Sequence, residues 1–234
     1  MLSLRERSRE PELMDAADFA GPELAESFRF IELVNRLGGG QRAVIRGVSR
    51  ALVGWPRSRP VEIVDVGCGS GDLGAALHHW GTRRGLEIRY CGVDRSERTL
   101  DLARSRARRR GLPLRFVSGD LFAASLPEAD LVLASMVLHH FDDDQVVAAI
   151  GHLAAKARRA LIINDLERGW GAWLACLGLT LCYGGPTTRH DALLSVAKGF
   201  RVEELQAAIA RAELAGAVSR VLGWRLLAVV SRSG

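Results

Sequence analysis

The sequence predicts an α/β fold, a doubly wound and mostly parallel sheet of seven strands whose last strand runs antiparallel. Three observations predict it. An apolar, β-branched run, Val61–Val66, ends in the glycine-spaced turn Gly67-Cys-Gly-Ser-Gly71 and then opens a helix. Two further strand-like runs end near acids, Asp94 and Asp120, at about the spacing of strand–helix–strand units. The tail, residues 217–222 and 224–230, reads as two strands joined by a tight turn at Gly223, and a short turn forces an antiparallel pair.

In chain order, residues 1–58 read as a helical cap and residues 59–234 as the main α/β domain. Within 22–35, Leu24, Phe28, Ile31 and Val34 or Asn35 share one helical stripe. Gly38-Gly-Gly40 breaks that helix, a second covers about 41–52, and Pro56 and Pro60 lead into the first strand. Two such helices either cover the strand ends as a cap or pack at the sheet edge. Residues 86–94, 113–117, 129–134 and 160–164 predict strands two to five. Asp142-Asp-Asp144 is expected to serve as N-cap and dipole partners of the next helix rather than as metal ligands. A lid insertion follows strand five over about 166–200. Its residues 170–183 are apolar all round, so that helix must be buried or turn one side to a hydrophobic ligand. Asp191 is placed to cap the helix after it, with His190 at the same mouth.

With 48% hydrophobic residues over 234 positions, the chain can bury a sizeable core. No apolar run reaches membrane length and the N-terminal segment lacks a signal peptide's apolar stretch, so a cytoplasmic protein without stable membrane insertion is expected. The four cysteines show no Cys-x-x-Cys spacing, which argues against a zinc knuckle or a disulfide framework, and no metal is expected. Net charge is +5, and of 32 basic residues only Lys156 and Lys198 are lysines. The densest basic run, 104–110, reads as a solvated helix face complementing the helix dipole. No aromatic platform accompanies it, so nucleic acid is not the expected partner.

The chemistry is concentrated at the strand ends. Gly67, Gly69 and Gly71 allow a sharp turn and a ligand lying close to the backbone. A dinucleotide fingerprint would be Gly-x-Gly-x-x-Gly, but position 72 is Asp, and Asp65 sits where it would repel a pyrophosphate. Acids here favour a cationic ligand. Asp94 is placed to hold ribose hydroxyls, Asp120 to take the exocyclic amine of adenine, and Leu121 to pack on its ring.

These motifs, Val64-Asp-Val-Gly-Cys-Gly-Ser-Gly71, Gly92-Val-Asp94 and Gly119-Asp120, resemble those of the class I S-adenosylmethionine-dependent methyltransferases. The resemblance covers residues 60–165 and implies a Rossmann-like sheet, S-adenosyl-L-methionine as cofactor and S-adenosyl-L-homocysteine as product. It implies cofactor contacts from Asp65, Gly67, Cys68, Gly69, Gly71 and Asp72 at the first strand. Asp94, Arg95, Gly119, Asp120, Leu121, Ser135 and Met136 follow at the next three. Glu12-Leu-Met-Asp15, Asn35-Arg-Leu-Gly-Gly-Gly40, Leu138-His-His-Phe141, and His190-Asp191 with Ser195-Val196 are similar to a bacterial group. Members often accompany type III polyketide synthases and are distantly similar to the ubiquinone and menaquinone biosynthesis methyltransferases. That similarity implies O-methylation of a small hydrophobic aromatic acceptor, a phenol or quinol, by a monomer or homodimer. C- or N-methylation of a quinone-type or other small molecule is the alternative, with a nucleic-acid methyltransferase behind it. Against the last, the position after strand four reads Ala134-Ser-Met-Val137 where enzymes acting on exocyclic amines generally carry Asn/Asp-Pro-Pro-aromatic.

Methyl transfer to a protonated nucleophile needs a base. The candidates are His140, preferred over its neighbour His139, and His190 from the lid. Adjacent residues leaving a strand alternate in direction, so at most one of the first two is expected to face the cofactor.

Overall fold

The computed structural model describes residues 4–16, 19, 21–123 and 125–231. Seven strands form one sheet: β1 (Val61–Val66), β2 (Ile88–Asp94), β3 (Arg115–Ser118), β4 (Ala129–Ser135), β5 (Ala157–Leu166), β6 (Ala215–Val221) and β7 (Arg225–Ser231), in the order β3-β2-β1-β4-β5-β7-β6. The first five pair in parallel, and β7 is antiparallel to both its neighbours. This is the doubly wound sheet with a reversed last strand that the sequence predicts.

Central strands buried on both faces alternate between two cores. Ile63, Leu131, Leu133, Ile162 and Leu227 face one core. Val64, Val132, Ala134, Leu161 and Ala228 face the other. The first core is covered by α2 (Gly40–Ala51), α3 (Asp72–Thr82) and α4 (Glu97–Arg109), through Val44, Val48, Leu77, Leu100 and Ala103. The second is covered by α5 (Asp143–Lys156) and α8 (Val202–Arg211), through Ile150, Leu153, Leu205 and Ile209.

The two N-terminal helices divide the roles expected of them. Helix α2 is a sheet-packing helix against β5 and β7, whereas α1 (Gly21–Leu37) packs on α2 and α7 (Pro186–Lys198) and sets Phe28 over the glycine turn. Phe30, outside the predicted stripe, is buried as well. The break between α1 and α2 serves a close approach. A Cβ on Gly39 would stand 2.7 Å from the Leu222 carbonyl at the tip of the β6–β7 hairpin, and the backbone at Gly39 is left-handed, with φ 83°.

Two details differ from expectation. The basic run in α4 is not simply a solvated face: Arg106 and Arg110 bind Glu32 of α1 at 3.3 and 3.1 Å, and Arg104 binds Glu97 and Asp101. Asp191 lies inside α7 and does not cap it. Its carboxylate instead accepts from the amides of Leu13 and Met14, at 2.9 and 2.8 Å, and so caps a 3-10 turn at Leu13–Asp15. Asp142 does cap α5, with Gln145 returning the bond. No helix among the described residues is long and apolar enough to cross a membrane.

Candidate active site

The carboxyl ends of β1, β2, β3 and β4 form one edge, because parallel pairing sets Asp65 beside Gly92, Asp94 beside Ser118, and Ala134 beside Val66. Ligands of open α/β sheets bind outside this edge. The turn after β1 has no room for a side chain at two of its glycines: a Cβ at Gly67 would lie 2.6 Å from Val137 Cγ2, and one at Gly69 2.8 Å from the Phe28 ring. Both glycines have left-handed backbones, with φ 69° and 53°. Cys68 between them is buried, its thiol pushed well up by burial and held near the Gly69 carbonyl.

Asp94 accepts hydrogen bonds from the Gly69 and Ser96 amides, both at 3.0 Å, and burial raises its pKa. It fastens the glycine turn to the end of β2. Gly119 donates to the Asp94 carbonyl, which brings the β3 loop alongside. There Asp120 closes its own turn by accepting from the Phe122 amide at 2.8 Å, and Leu121 is buried with Val93. Asp72 begins α3, takes bonds from Gln41 and Asn35 at 3.3 and 3.4 Å, and has its pKa raised by burial.

Asp65 behaves differently from the open acid that the sequence suggests. It is buried, accepts the Tyr90 hydroxyl at 2.6 Å, and burial pushes its pKa up to about 7. Its charge is therefore only partly available to repel an anion near neutrality, and Asp72 and Asp94 are the outward acids. Arg95 points away from the turn, pairing with Asp15 at 3.0 Å.

At the end of β4, Ser135 Oγ accepts from Asn164 Nδ2 at 2.9 Å, and Met136 adopts a left-handed backbone with φ 60°. The Met136 sulfur meets the guanidinium of Arg225, a side chain that sequence reasoning missed. Arg225 is fully buried at the start of β7, donates to Asn35 Oδ1 at 3.1 Å and leaves Nε without a partner. Burial pushes its pKa down to about 10. Asn35 thus links an acid, Asp72, to a base, Arg225.

His139 and His140 do not alternate, because the chain has left the strand and turned into a 3-10 helix, Leu138–His140, which brings their rings 4.4 Å apart. His139 is buried, with Nδ1 2.7 Å from Asp165 Oδ1; His140, partly buried, has Nδ1 3.0 Å from Asp15 Oδ2. Asp165 also accepts the Leu138, His139 and Leu166 amides, and its pKa is lowered: the His139 contact and these bonds outweigh burial. Both Nε2 atoms face Glu12, at 3.7 and 4.0 Å. His190 stands apart on α7, half exposed, with Nδ1 on Asp191 at 3.1 Å.

An N-terminal strap, residues 4–16, supplies Glu12 and Asp15 and was not read as part of the site. Arg7 fastens it, donating to the carbonyls of Lys198, His139 and Phe141, while Arg168 and Arg201 donate to the Leu4 carbonyl. The signal that pointed here was the short Glu12–Asp15 motif, without its partners. Beyond the pair of histidines, α6 (Trp170–Tyr183) turns Trp173 and Cys176 toward Met136 and leaves Trp170, Leu174, Leu181 and Tyr183 exposed.

Residues 63–159 match the family described as "Methyltransferase domain". No curated protein matches the chain. Among solved structures, magnesium protoporphyrin IX methyltransferase from Synechocystis PCC 6803 with bound SAH is 18% identical, with TM-score 0.63 over 92% of this chain and 96% of that one. An O-methyltransferase family 2 protein from Planctomyces limnophilus DSM 3776, in complex with apigenin, is 21% identical, with TM-score 0.62 over 92% of this chain and 63% of that one. A plantazolicin methyltransferase in complex with a substrate analog and SAH is 14% identical, with TM-score 0.65 over 89% of each chain. At these identities the likeness is one of fold.

Proposed function

We propose that this chain, an S-adenosylmethionine-dependent methyltransferase, methylates a hydroxyl of a small hydrophobic aromatic acceptor, a phenol or quinol, in the cytoplasm and as a step of secondary metabolism. One observation carries the acceptor reading. After β4, Met136 packs with Trp173 and Cys176 of α6 on one apolar cluster, and three residues further on come two imidazoles whose Nδ1 atoms are each held by a carboxylate. A flat apolar ring suits the cluster, and a hydroxyl proton needs the imidazoles. The solved O-methyltransferase in complex with apigenin is a neighbour of this kind.

The residues fit the cofactor. The left-handed glycine turn, packed under Val137 and Phe28, brings the Gly69 amide to Asp94, which leaves Asp94 for the ribose and Asp120 and Leu121 for the adenine. Asp72 and Arg225, joined through Asn35, match the ammonium and carboxylate of an amino-acid tail. Bound there, S-adenosylmethionine would supply an electrophilic methyl group: the acceptor oxygen would bond to the methyl carbon as the carbon–sulfur bond breaks, the electron pair staying on the sulfur of S-adenosylhomocysteine.

The chain's own part is positioning, water exclusion and disposal of one proton. The strap, tied to Asp191 and the Phe141 carbonyl, and α1, with Phe28 on the glycine turn, would help to exclude water there. The acceptor's O–H proton passes into the His139–His140–Glu12 cluster as its oxygen becomes the nucleophile. A phenol of pKa about 10 is mostly protonated at neutral pH, so this help is worth roughly 10²–10⁴-fold.

The test is a methyl-transfer assay against phenols and quinols with product analysis by mass spectrometry. Methyl ethers are expected, and transfer to carbon or nitrogen alone overturns the reading. His140→Ala and His139→Ala should each lower kcat by about 10²-fold or more while S-adenosylhomocysteine affinity holds. The loss should shrink as pH nears the acceptor's pKa. Near-normal kcat in both variants at pH 7 removes the cluster from the reaction.

A further inference from the structure

We propose that Glu12, His139 and His140 bind a divalent transition-metal ion, of the kind that prefers mixed nitrogen and oxygen ligands, such as Zn2+. One ligand atom from each of the three lies within 4.8 Å of the other two. The case rests on which atoms face one another. Asp165 is an acceptor already taking three amide hydrogens, so its short contact to His139 Nδ1 requires Nδ1 to carry the proton. That leaves His139 Nε2 as a lone pair, and it faces Glu12 Oε1, another acceptor, at 3.7 Å. Two acceptors that face each other across this gap are stabilised by a positive charge between them, and a metal ion there would meet a lone pair from each. Glu12 is buried, and its Oε1 has no hydrogen-bond partner.

The outer contacts follow the same design. Metal-bound histidines almost always give their other nitrogen to a carboxylate or carbonyl, which fixes the tautomer and raises basicity. His139 has Asp165 in that place, and His140 has Asp15. Two imidazoles with a carboxylate favour zinc-like ions over magnesium or calcium, which take oxygen ligands. Three protein ligands leave one position open, and with both Nε2 lone pairs on the ion the imidazoles no longer take the acceptor's proton. The ion would instead lower the pKa of an acceptor oxygen bound to it. That role, though not the binding, rests on the hydroxyl-methylation reading above.

Glu12, Asp15 and Asp165 face Lys198 Nζ, 3.4 Å from Glu12 Oε1, Arg95 on the outer side of Asp15, and Arg225, whose charge acts on Asp165. The carboxylates nearest the imidazole nitrogens are Glu12, Asp15 and Asp165, with Lys198 the cation in contact with Glu12. Lys198 is the competing occupant: its ammonium already lies beside Glu12, so an ion must share that carboxylate with it.

The experiment is calorimetry of the full-length, chelator-treated protein with ZnCl2, paired with Co2+ absorption to report the ligand type. One equivalent should bind with a micromolar or tighter Kd, and the cobalt spectrum should show nitrogen and oxygen ligands without thiolate bands. Glu12→Gln and His140→Ala should each weaken binding by about 10-fold or more, and Asp15→Asn by about 10–100-fold, the range for outer-shell partners. His79→Ala, on the surface of α3, should leave it unchanged. S-adenosylhomocysteine binding, measured in parallel, reports folding and tests the methyltransferase site separately. No stoichiometric Zn2+ binding, thiolate bands, or an affinity unmoved by both Glu12→Gln and His140→Ala overturns the proposal, whatever the methylation assay gives.

Discussion

Asp94 shows how a single carboxylate can shape a turn and still be offered to a ligand. Its two amide bonds leave lone pairs free, and burial has already stripped part of its water, so a ribose hydroxyl finds a strong acceptor there. Asp94→Ala should weaken S-adenosylhomocysteine binding by roughly 1.5–3 kcal/mol, the span for hydrogen bonds to charged groups, as read by calorimetry. Unchanged affinity in a folded variant removes Asp94 from the ribose site. Asp94, the glycines and Asp120 were legible in the sequence because each lies within a few residues of the strand that presents it. Glu12, Asp15, Asp165 and Arg225 were not, since their partners are remote: Asp15 and His140 are 125 positions apart, Arg225 and Asn35 190. The directions of His139 and His140 were misjudged for a local reason. A strand's alternation was extended one turn past its end, where a 3-10 helix begins.

At the scale of elements, α6 is the telling case. Its composition announces an apolar helix after β5, and its bounds were read correctly at Trp170–Tyr183. Composition could not say which side is covered. Only Ala172 and Thr180 are fully buried; Trp173 and Cys176 face Met136, and Leu181 and Tyr183 stand 60% and 64% exposed. A helix with so little buried surface contributes modestly to stability, so changing it should affect the acceptor rather than the fold. Leu177→Asp and Leu181→Asp should raise the acceptor's KM several-fold with S-adenosylhomocysteine affinity unchanged. An equal fall in both affinities would make α6 a core element. Helix α4 gave the opposite surprise, its arginines holding α1 through Glu32.

For the whole molecule, the sheet order follows from parallel units of strand and helix, and those were plain in the periodicity. What the fold adds is a buried titratable group at its centre. Asp65 keeps its proton in the folded chain up to about pH 7, but releases it near its ordinary 3.8 once unfolded. Between those values the folded state holds the extra proton, so this carboxyl makes stability fall as pH rises. Three pKa units correspond to at most about 4 kcal/mol. Thermal melts of the cofactor-free protein should show a decline between about pH 4 and 7 that is flatter in Asp65→Asn, and parallel curves for the two proteins would refute the assignment.

The strap tied to Asp191 also sets an order of events in the life of the chain. Glu12 and Asp15 are made well before the carboxylate that caps their turn, Asp191, which is 178 positions beyond Leu13. At roughly 5–20 residues per second, that is a wait of roughly 10–35 s during which the strap has nowhere to sit. The chemistry-bearing end of the sheet therefore waits for α7, and the sheet itself waits longer still, for β6 and β7. Until Asp191 has been made, a nascent chain carries Glu12 and Asp15 without the carboxylate that caps their turn.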